Sequence, residues 1–399
     1  MKIIRISTRI YPDSGGPAKQ AFLLSKYCAK NNLDVINIAC IPKNKKYVDK
    51  EIINENFTIY YLPFHAPGYN SNLITLLIFF IKFFIYSTLK IYKITRNTKI
   101  NLIHAHTPLP SGFIAYFFYK LMKIPYFYTL HGLDIPTPFL LYFDFLLTIK
   151  NAQKNFTVSR SLANYLIQNY NVKNVVPLPN GIEISSFRSV SNSLDQKRNI
   201  IEELNLQQTL SPNDKIISYI GYMILPQKVK GMVDFLRGFN GFLSELHQKV
   251  EQNRYKLLYI GDGEFSYRLK EKVHDFNLEH NVFLLGKRND VKELLSVSDL
   301  LGLTSYIEGF PNVLLEAMAS KVPCLVSNVG DMKFIVNDTG YIIKPGAIRE
   351  IRENLKYFFS QSDEEVDRLK EKAFQRVKNK FNINAISKKL IRFYQLTMN

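Results

Sequence analysis

Apolar runs alternate with amphipathic stretches along the first half of the chain. The apolar runs predict strands at residues 3–7, 34–40, 58–62, 102–104, 126–130, 156–158 and 175–178. Between several of them apolar residues recur at helical spacing, which predicts helices at 18–30, 111–122 and 159–168, the last capped by Ser159. Strands that alternate with helices in this way predict a parallel, doubly wound α/β sheet.

The same alternation restarts after a polar stretch. Residues 177–192 are rich in Pro, Gly, Asn and Ser, and charged and polar residues follow to about 214, which predicts a linker. Further strands are predicted at residues 216–220, 256–260, 282–285, 300–303, 322–327 and 341–343. The sequence therefore predicts two Rossmann-like domains, at 1–190 and 195–379. Ligands of such sheets bind beyond the carboxyl ends of the strands, so we expect the site in the cleft between the domains.

Residues 72–96 form one unusual segment. The run 73–86 is apolar and aromatic apart from Thr75 and Lys82, and three basic residues follow it. It is too short and too interrupted to predict a membrane span. Two interpretations remain open. One is a helix that covers the sheet; the other is an interfacial helix whose Phe and Leu side chains enter the lipid headgroup region while its basic end meets anionic lipid.

The charge of the chain is concentrated in its first half. The net charge is +18 over 399 residues. Residues 1–190 carry 22 Lys and Arg against 8 Asp and Glu, whereas residues 191–399 carry 30 against 26. This asymmetry predicts an anionic partner for the first half, either a membrane surface or a phosphorylated substrate. Nucleic acid is not expected, because the basic residues are dispersed and no nucleic-acid-binding motif is present.

The cysteines and the N-terminus bear on the compartment. Cys28, Cys40 and Cys324 form no C-x-x-C pair and no metal-ligand spacing, so we expect small buried apolar residues in a reducing compartment. The chain begins directly with a predicted strand and has no signal-peptide layout. These features predict a cytoplasmic protein, with peripheral contact to the inner face of the cell membrane left open.

The most informative segment is the predicted strand–loop–helix unit at 300–320. Its loop carries Glu308, and Pro311 stands where the first helical position is expected. The helix start would offer backbone N–H groups and the positive end of its dipole to a diphosphate or a sugar. Glu316, in the second turn, points back toward the same end, so two carboxylates can flank one ligand. The alternative is an ordinary capped helix with two exposed glutamates.

Glycines and histidines follow two strands of the first half. Gly15 and Gly16 permit a tight turn and a close backbone approach to a ligand, although a plain turn is the alternative. His131 follows a predicted buried strand and precedes a glycine, so we expect its ring to project into the cleft; a histidine satisfied within the core is the alternative. His104 and His106 are expected to be structural.

Nine short motifs follow one another in order along nearly the whole chain. They are Asp13-Ser-Gly-Gly-Pro-Ala, His104-Ala-His, Thr129-Leu-His-Gly, Pro179-Asn-Gly-Ile-Glu, Gly261-Asp-Gly-Glu, Val282-Phe-Leu-Leu-Gly, Ser298-Asp-Leu, the segment 305–320 and Pro323-Cys-Leu-Val-Ser. Together they resemble the motifs of the retaining family 4 glycosyltransferases. That family has the GT-B fold, in which two Rossmann-like domains face an inter-domain cleft and the last helix, here about 380–399, packs back on the first domain.

The resemblance implies a chemistry and a set of contacts. It implies a retaining enzyme that moves a hexose or N-acetylhexosamine from a nucleotide sugar, with a UDP-sugar favoured, and that needs no cofactor and no bound metal. His131 would contact the donor sugar near the reacting carbon, Glu308 the sugar hydroxyls and Glu316 the ribose. The remaining donor-binding positions implied are Gly15, Gly16, Gly286, Lys287, Arg288, Gly309, Phe310, Pro311, Asn312 and Val313. The acceptor would be a glycan or a polyprenyl-diphosphate-linked sugar in surface polysaccharide, lipopolysaccharide or glycan-precursor assembly.

One position departs from the family pattern. The family places an Arg after a strand-ending Gly and a Lys-Gly pair several residues later, whereas here Tyr222 follows Gly221. We expect Lys230 to contact the diphosphate, with Lys228 as a second candidate, in a loop that looks longer than usual; solvated loop lysines are the alternative. A sugar-nucleotide epimerase of the same fold and a catalytically impaired membrane-associated scaffold remain as alternatives. A dinucleotide oxidoreductase would need a G-x-G-x-x-G turn that the first loop does not supply.

Overall fold

The computed structural model describes residues 1–13, 15–68, 71–106, 108–132, 139–187, 193–246 and 248–397. The chain divides into two compact units. Unit 1 comprises Met1–Gly181 and Asn382–Asn399, and unit 2 comprises Ile182–Phe381. Each unit has its own sheet: that of unit 2 is parallel throughout, and that of unit 1 is parallel apart from one edge strand. The prediction of two Rossmann-like α/β domains is confirmed.

The strands and helices have the following bounds. The strands are β1 Lys2–Ile6, β2 Asp34–Cys40, β3 Lys50–Asn54, β4 Phe57–Leu62, β5 Leu102–His106, β6 Tyr126–Leu130, β7 Lys154–Thr157, β8 Val175–Pro177, β9 Lys215–Ile220, β10 Tyr255–Ile260, β11 Val282–Gly286, β12 Leu300–Leu303, β13 Cys324–Ser327 and β14 Tyr341–Ile343. The helices are α1 Gly16–Lys30, α2 Leu73–Asn97, α3 Phe113–Met122, α4 Phe139–Asn151, α5 Arg160–Tyr170, α6 Leu194–Glu203, α7 Pro226–Ser244, α8 Lys249–Gln252, α9 Tyr267–Asp275, α10 Val291–Ser296, α11 Asn312–Ala319, α12 Met332–Val336, α13 Ile348–Ser360, α14 Asp363–Lys380 and α15 Ile383–Leu396.

The sheet of unit 1 has the order β3-β4-β2-β1-β5-β6-β7-β8 within the described residues. Neighbouring strands are parallel except β3 and β4, which are antiparallel. The sequence prediction misses β3, because this short edge strand carries charge and is nowhere fully buried. In contrast, β5 and β6 are buried along their whole length, as expected of parallel strands covered on both faces.

Two apolar layers cover this sheet. On one face α2, α3, α4 and α5 enclose a core that includes Phe83, Phe118 and Phe145. On the other face α1 and α15 enclose a core that includes Leu24 and Tyr394. The three cysteines are buried and form no disulfide, as predicted. The parallel strands of this sheet all end at one edge, and it is at this edge that a ligand is expected.

The chain leaves unit 1 after Gly181 and returns at Asn382. Gln20 of α1 donates to the Gly181 carbonyl at 2.8 Å and accepts from its N–H at 3.1 Å. The next residue, Ile182, instead donates its N–H to the Phe381 carbonyl of unit 2 at 2.8 Å. This exchange of partners places the division earlier than the predicted boundary at residue 190, and α15 lies in unit 1 against α1.

Unit 2 contains a six-stranded parallel sheet in the order β11-β10-β9-β12-β13-β14. The strand order reverses between β9 and β12, so α7 and α11 begin at the carboxyl ends of adjacent strands. The predicted linker is too long, because α6 and the turn after it bury Ile201, Leu204 and Leu210 in the core of this unit. Because α6 also carries many charged residues, its composition alone does not reveal this apolar stripe.

Helix α2 accounts for the unusual segment at 72–96. It is 25 residues long, and it is the one helix among the described residues whose length and composition suffice to cross a membrane. Only Phe83, Ser87 and Ile91 are buried. The helix is longer than the apolar run 73–86 indicates, because it continues through the basic residues to Asn97. The helix covers the sheet with one side, where Phe79, Phe84 and Ile94 pack half-buried on the core, and exposes the opposite side.

Candidate active site

The Gly-rich loop of unit 1 connects β1 to α1. Gly15 caps α1 with φ 116°, a conformation that favours glycine, and Gly16 is the first helical residue. The first turn of α1 carries no acidic side chain. Because α1 follows β1, its N-terminus lies at the carboxyl edge of the sheet, with the positive end of the helix dipole toward that edge.

His106 and His131 meet at the same edge. His106 ends β5, and His131 follows the adjacent strand β6. Their rings stack with centroids 5.5 Å apart, and Nδ1 of His106 lies 3.1 Å from Nε2 of His131. His104 lies deeper and has the structural role predicted for it, with Nδ1 2.5 Å from the Tyr394 hydroxyl and Nε2 2.7 Å from that of Thr129.

A buried arginine, Arg5, contacts this histidine pair at His106. Arg5 of β1 is 1% exposed, and its Nε donates to Nε2 of His106 at 3.2 Å. Arg5 forms no ion pair with a carboxylate among the described residues. Burial and the charge of Arg5 lower the pKa of His131 to about 4, and they hold the pKa of His106 well below its usual range. Both rings are therefore neutral at physiological pH.

In unit 2, Glu308 lies in the loop after β12 and contacts the start of α7. Lys228 Nζ lies 3.0 Å from Oε1 of Glu308, and the Ser305 hydroxyl donates to the same oxygen at 3.2 Å. The Glu308 side chain is only 12% exposed, so this ion pair is poorly screened by water. The carboxylate is thus fixed in direction by one cation and one hydroxyl.

Lys230 makes a different contact. Its ammonium lies over the ring of Tyr306, 4.2 Å from the centroid. The Tyr306 hydroxyl donates to Oδ2 of the buried Asp234 at 2.6 Å, and burial and this carboxylate raise the pKa of Tyr306. The aromatic ring and the aspartate behind it hold Lys230 at the junction of α7 with the β12 loop.

Glycine 231 brings the two elements together. A Cβ atom at Gly231 would lie 2.3 Å from the carbonyl oxygen of Thr304, and the Thr304 hydroxyl donates to the Gly231 carbonyl at 2.8 Å. The expectation of loop lysines is wrong, because α7 begins at Pro226 and both Lys228 and Lys230 lie in its first two turns. The proline at the first helical position starts the helix earlier than the motif spacing suggests.

The segment 309–313 forms the start of α11. Pro311 is the N-cap, with ψ 118°, and α11 begins at Asn312; the expectation that Pro311 occupies the first helical position is wrong by one residue. A Cβ at Gly330 would lie 2.2 Å from the Glu308 carbonyl oxygen, so a second chain segment presses on this loop. Phe310 is buried and packs on Phe381, with ring centroids 5.6 Å apart. Glu316 lies half-buried in the second turn.

The third predicted donor segment follows β11. Gly286 ends that strand with φ 65°, and its carbonyl accepts from the Gly261 N–H at 2.8 Å. Lys287 is exposed. The Arg288 guanidinium bonds both oxygens of Asp290 and donates to the Leu204 carbonyl at 3.0 Å, so its side chain holds the local chain. The described residues contain no cluster of three His, Cys, Asp or Glu suited to a metal ion.

The sequence prediction misses three residues of these sites. Arg5 lies behind His106 and outside the motifs. Tyr306 belongs to the segment 305–320, but its contact with Lys230 and with Asp234, which lies outside the motifs, is not evident from that segment. A charged residue between the buried isoleucines of β1 is a signal for Arg5. Nothing in the local spacing links Asp234 to Tyr306, because they meet only through the packing of α7 on the β12 loop.

Comparison with known families decides the class of the chain. Residues 14–186 match the family described as Glycosyltransferase Family 4, and residues 201–376 match Glycosyl transferases group 1. The chain belongs to the family 4 glycosyltransferases. The chain is therefore a glycosyltransferase of the EC 2.4 class. The two family matches cover the loop and helix segments of both candidate sites.

Relatives and solved structures agree with this family. The glycosyltransferase is 27% identical over 354 residues to N-acetyl-alpha-D-glucosaminyl L-malate synthase of Bacillus anthracis, covering 86% of this chain and 84% of the relative. It is 24% identical over 281 residues to UDP-Gal:alpha-D-GlcNAc-diphosphoundecaprenol alpha-1,3-galactosyltransferase of Escherichia coli, covering 65% and 66%. Sucrose-phosphate synthase from Thermosynechococcus elongatus has the same fold, with a TM-score of 0.78 at 19% identity over 99% of this chain and 98% of that one. The GT-B fold is thereby confirmed.

Proposed function

We propose that this glycosyltransferase moves a sugar from a UDP-sugar to a glycan or a lipid-diphosphate-linked acceptor, with retention of the anomeric configuration. The observation that carries the proposal is the junction of α7 with the β12 loop. There the Lys228–Glu308 ion pair and the Lys230–Tyr306 contact put two cations and a fixed carboxylate beside the start of α11. A diphosphate leaving group needs cations, and sugar hydroxyls need carboxylate acceptors.

The proposed reaction breaks the bond between the anomeric carbon and the β-phosphate oxygen. The acceptor hydroxyl attacks the same face of the sugar, and its proton passes to a β-phosphate oxygen as UDP leaves. Lys230 would stabilise the charge that develops on the diphosphate, aided by the N–H groups from Gly309 to Val313. Glu308, held by Lys228, would accept hydrogen bonds from sugar hydroxyls, and Glu316 those of the ribose. No bound metal or further cofactor has a part in this scheme.

Unit 1 would supply the other contacts. His131 is neutral at physiological pH, so it can hydrogen-bond to the donor sugar without adding a cation next to an oxocarbenium-like centre. Gly15, Gly16 and the start of α1 would face the donor phosphates and the acceptor. Gly286, Lys287 and the main chain at Arg288 would meet the nucleotide base.

The acceptor class and the location follow from charge and from one relative. The E. coli relative is named for a diphosphoundecaprenol-linked acceptor. Residues 1–190 carry the excess of basic charge, which suits a diphosphate or an anionic membrane surface. We therefore infer a cytoplasmic protein that works at the inner face of the cell membrane on a lipid-linked glycan.

A donor panel tests the proposal. Purified protein is incubated with UDP-, GDP- and ADP-sugars and a membrane extract, and transfer and hydrolysis are both measured. We expect turnover with a UDP-sugar, loss of turnover in Glu308→Gln, and a product whose anomeric configuration by NMR equals that of the donor. An inverted product excludes the front-face mechanism. Binding of a donor without any turnover favours the scaffold alternative, and interconversion of the donor sugar favours the epimerase.

A further inference from the structure

Helix α2 exposes an apolar stripe to the surroundings. Ile74, Ile78, Ile81, Ile85 and Leu89 recur every three or four residues on one side of the helix, and each is between 47% and 69% exposed. A helix on the surface of a soluble domain carries polar side chains on this side. The outer side of α2 is therefore patterned for an apolar or interfacial environment.

The opposite side fixes α2 to unit 1. Phe83 is fully buried, Phe84 contacts Phe113 with ring centroids 5.7 Å apart, and Phe79 contacts Phe64 at 6.0 Å. Its two ends lead into β4 and β5 of the same sheet. Four residues separate α2 from β5, which span at most about 18 Å, whereas a bilayer core is about 30 Å thick. The helix therefore lies along the domain rather than across a membrane.

The charges of α2 are of one sign. The helix contains no Asp or Glu, and its basic residues are Lys82, Lys90, Lys93 and Arg96. Lys82 interrupts the apolar stripe, and Tyr86 and Tyr92 are both about half exposed. Long basic side chains and tyrosines that flank apolar residues are typical of helices at a lipid–water interface.

A basic hollow adjoins the C-terminal end of α2. It has a volume of about 660 Å³ and lies between the ends of α2 and α3, with Arg96, Lys99 and Lys123 in its lining and no acidic residue. None of these three cations has an ion pair among the residues described. Leu121 and Met122 of α3 are exposed next to it, so the apolar surface continues around the hollow.

We propose that α2 docks this glycosyltransferase on an anionic bilayer, with the apolar stripe in the headgroup region and a lipid phosphate in the hollow of Arg96, Lys99 and Lys123. The stripe supplies apolar area, and the three cations supply the affinity for negative headgroups. A second copy of this chain would bring the same basic residues face to face, since the helix has no acid to meet them, so a self-interface is disfavoured. This inference goes beyond the donor chemistry and does not depend on it.

The docking also orients the site of unit 1. Helix α2 starts on the side where the strands end and finishes on the side where β5 begins. The hollow precedes β5 and β6, whereas His131 follows β6, so about 16 Å of strand separates them. A helix that lies flat on the bilayer therefore keeps the edge with His131 within reach of the headgroup layer, where a lipid-linked acceptor would present its sugar.

Vesicle flotation of the full chain tests the docking, without donor or acceptor. The vesicles are pure phosphatidylcholine, or phosphatidylcholine with phosphatidylglycerol at three to one. We expect wild type to float with the anionic vesicles. Ile78→Ser/Ile85→Ser/Leu89→Ser should weaken this binding at least about tenfold. The hollow variant Arg96→Gln/Lys99→Gln/Lys123→Gln should weaken it about a hundredfold, since each cation near the surface contributes independently.

Two matched variants control for exposure and for net charge. Ile52→Ser/Ile167→Ser/Leu194→Ser removes three exposed apolar residues elsewhere, and Lys43→Gln/Lys46→Gln/Lys173→Gln removes three exposed cations from the same unit. Both should bind as wild type does. Equal weakening by the two charge variants would overturn the hollow as a site. No flotation of wild type, or a concentration-dependent dimer that the stripe variant abolishes, would overturn docking on lipid.

Discussion

The guanidinium of Arg5 donates to Nε2 of His106, and Nδ1 of His106 in turn lies 3.1 Å from Nε2 of His131. Because Arg5 can only donate, His106 must carry its proton on Nδ1 and present it to His131. The neutral His131 ring then carries its own proton on Nδ1. A buried cation in β1 thus sets the tautomer of two rings at the edge of the sheet.

This series of hydrogen bonds predicts a specific NMR signature. In ¹⁵N-histidine spectra at pH 7, Nε2 of His131 should be unprotonated and Nδ1 protonated. In Arg5→Gln the charge that lowers the pKa of His131 is lost, so its titration midpoint should rise from about 4 while burial keeps it below 6.5. Lys2→Gln, at the outer end of the same strand, should leave the midpoint unchanged. A protonated Nε2 in wild type would contradict the hydrogen-bond direction.

The buried histidines also predict loss of stability in acid. Burial holds the pKa of His104, His106 and His131 below the ordinary value of 6.5 in the folded protein, whereas the unfolded chain takes up protons near that value. The unfolded state therefore binds more protons as pH falls below 6.5, and the free energy of unfolding decreases. Each such histidine contributes up to about 1.4 kcal/mol per pH unit. Urea unfolding between pH 7 and 5 should show this slope, and His131→Asn should reduce it.

Gly231 is expected to tolerate no side chain. In Gly231→Ala the added Cβ meets the Thr304 carbonyl, so we expect a loss of about 1–3 kcal/mol in the free energy of unfolding and a raised KM for the donor. Gly241→Ala, on the same helix, meets only the flexible Arg352 side chain and should be neutral or stabilising by about 0.5–1 kcal/mol. Equal effects of the two substitutions in urea unfolding would contradict the close contact between α7 and the loop.

Lys228 and Lys230 are expected to differ in kinetics. Lys230→Gln removes the cation assigned to the leaving diphosphate, and kcat should fall by about 100-fold or more. Lys228→Gln leaves the Glu308 carboxylate without its cation, so the dominant change should be a higher KM for the donor. Lys249→Gln, an exposed lysine in the same unit, is the control. If Lys228→Gln lowers kcat more than Lys230→Gln does, the two roles are exchanged.

Several elements follow from local sequence because their physics is local. The buried strands 126–130 and 300–303 are bounded as the apolar runs predict, and Ser159 caps α5 by accepting from the Leu162 N–H. Strand β3 and the start of α7 cannot be predicted from local sequence. The edge strand β3 depends on pairing with β4, and the start of α7 depends on its packing against the loop after β12.

The sequence by itself determined the two-domain α/β class, the family and the positions of Glu308, Glu316 and His131, since motif order and apolar periodicity are properties of the chain. Only the tertiary structure decided what these groups face. Packing between segments far apart in sequence brings Arg5 against His106 and Asp234 against Tyr306, and it leaves the outer side of α2 exposed. Charge pairing and exposure depend on which surfaces the fold brings together, and no local pattern contains that information.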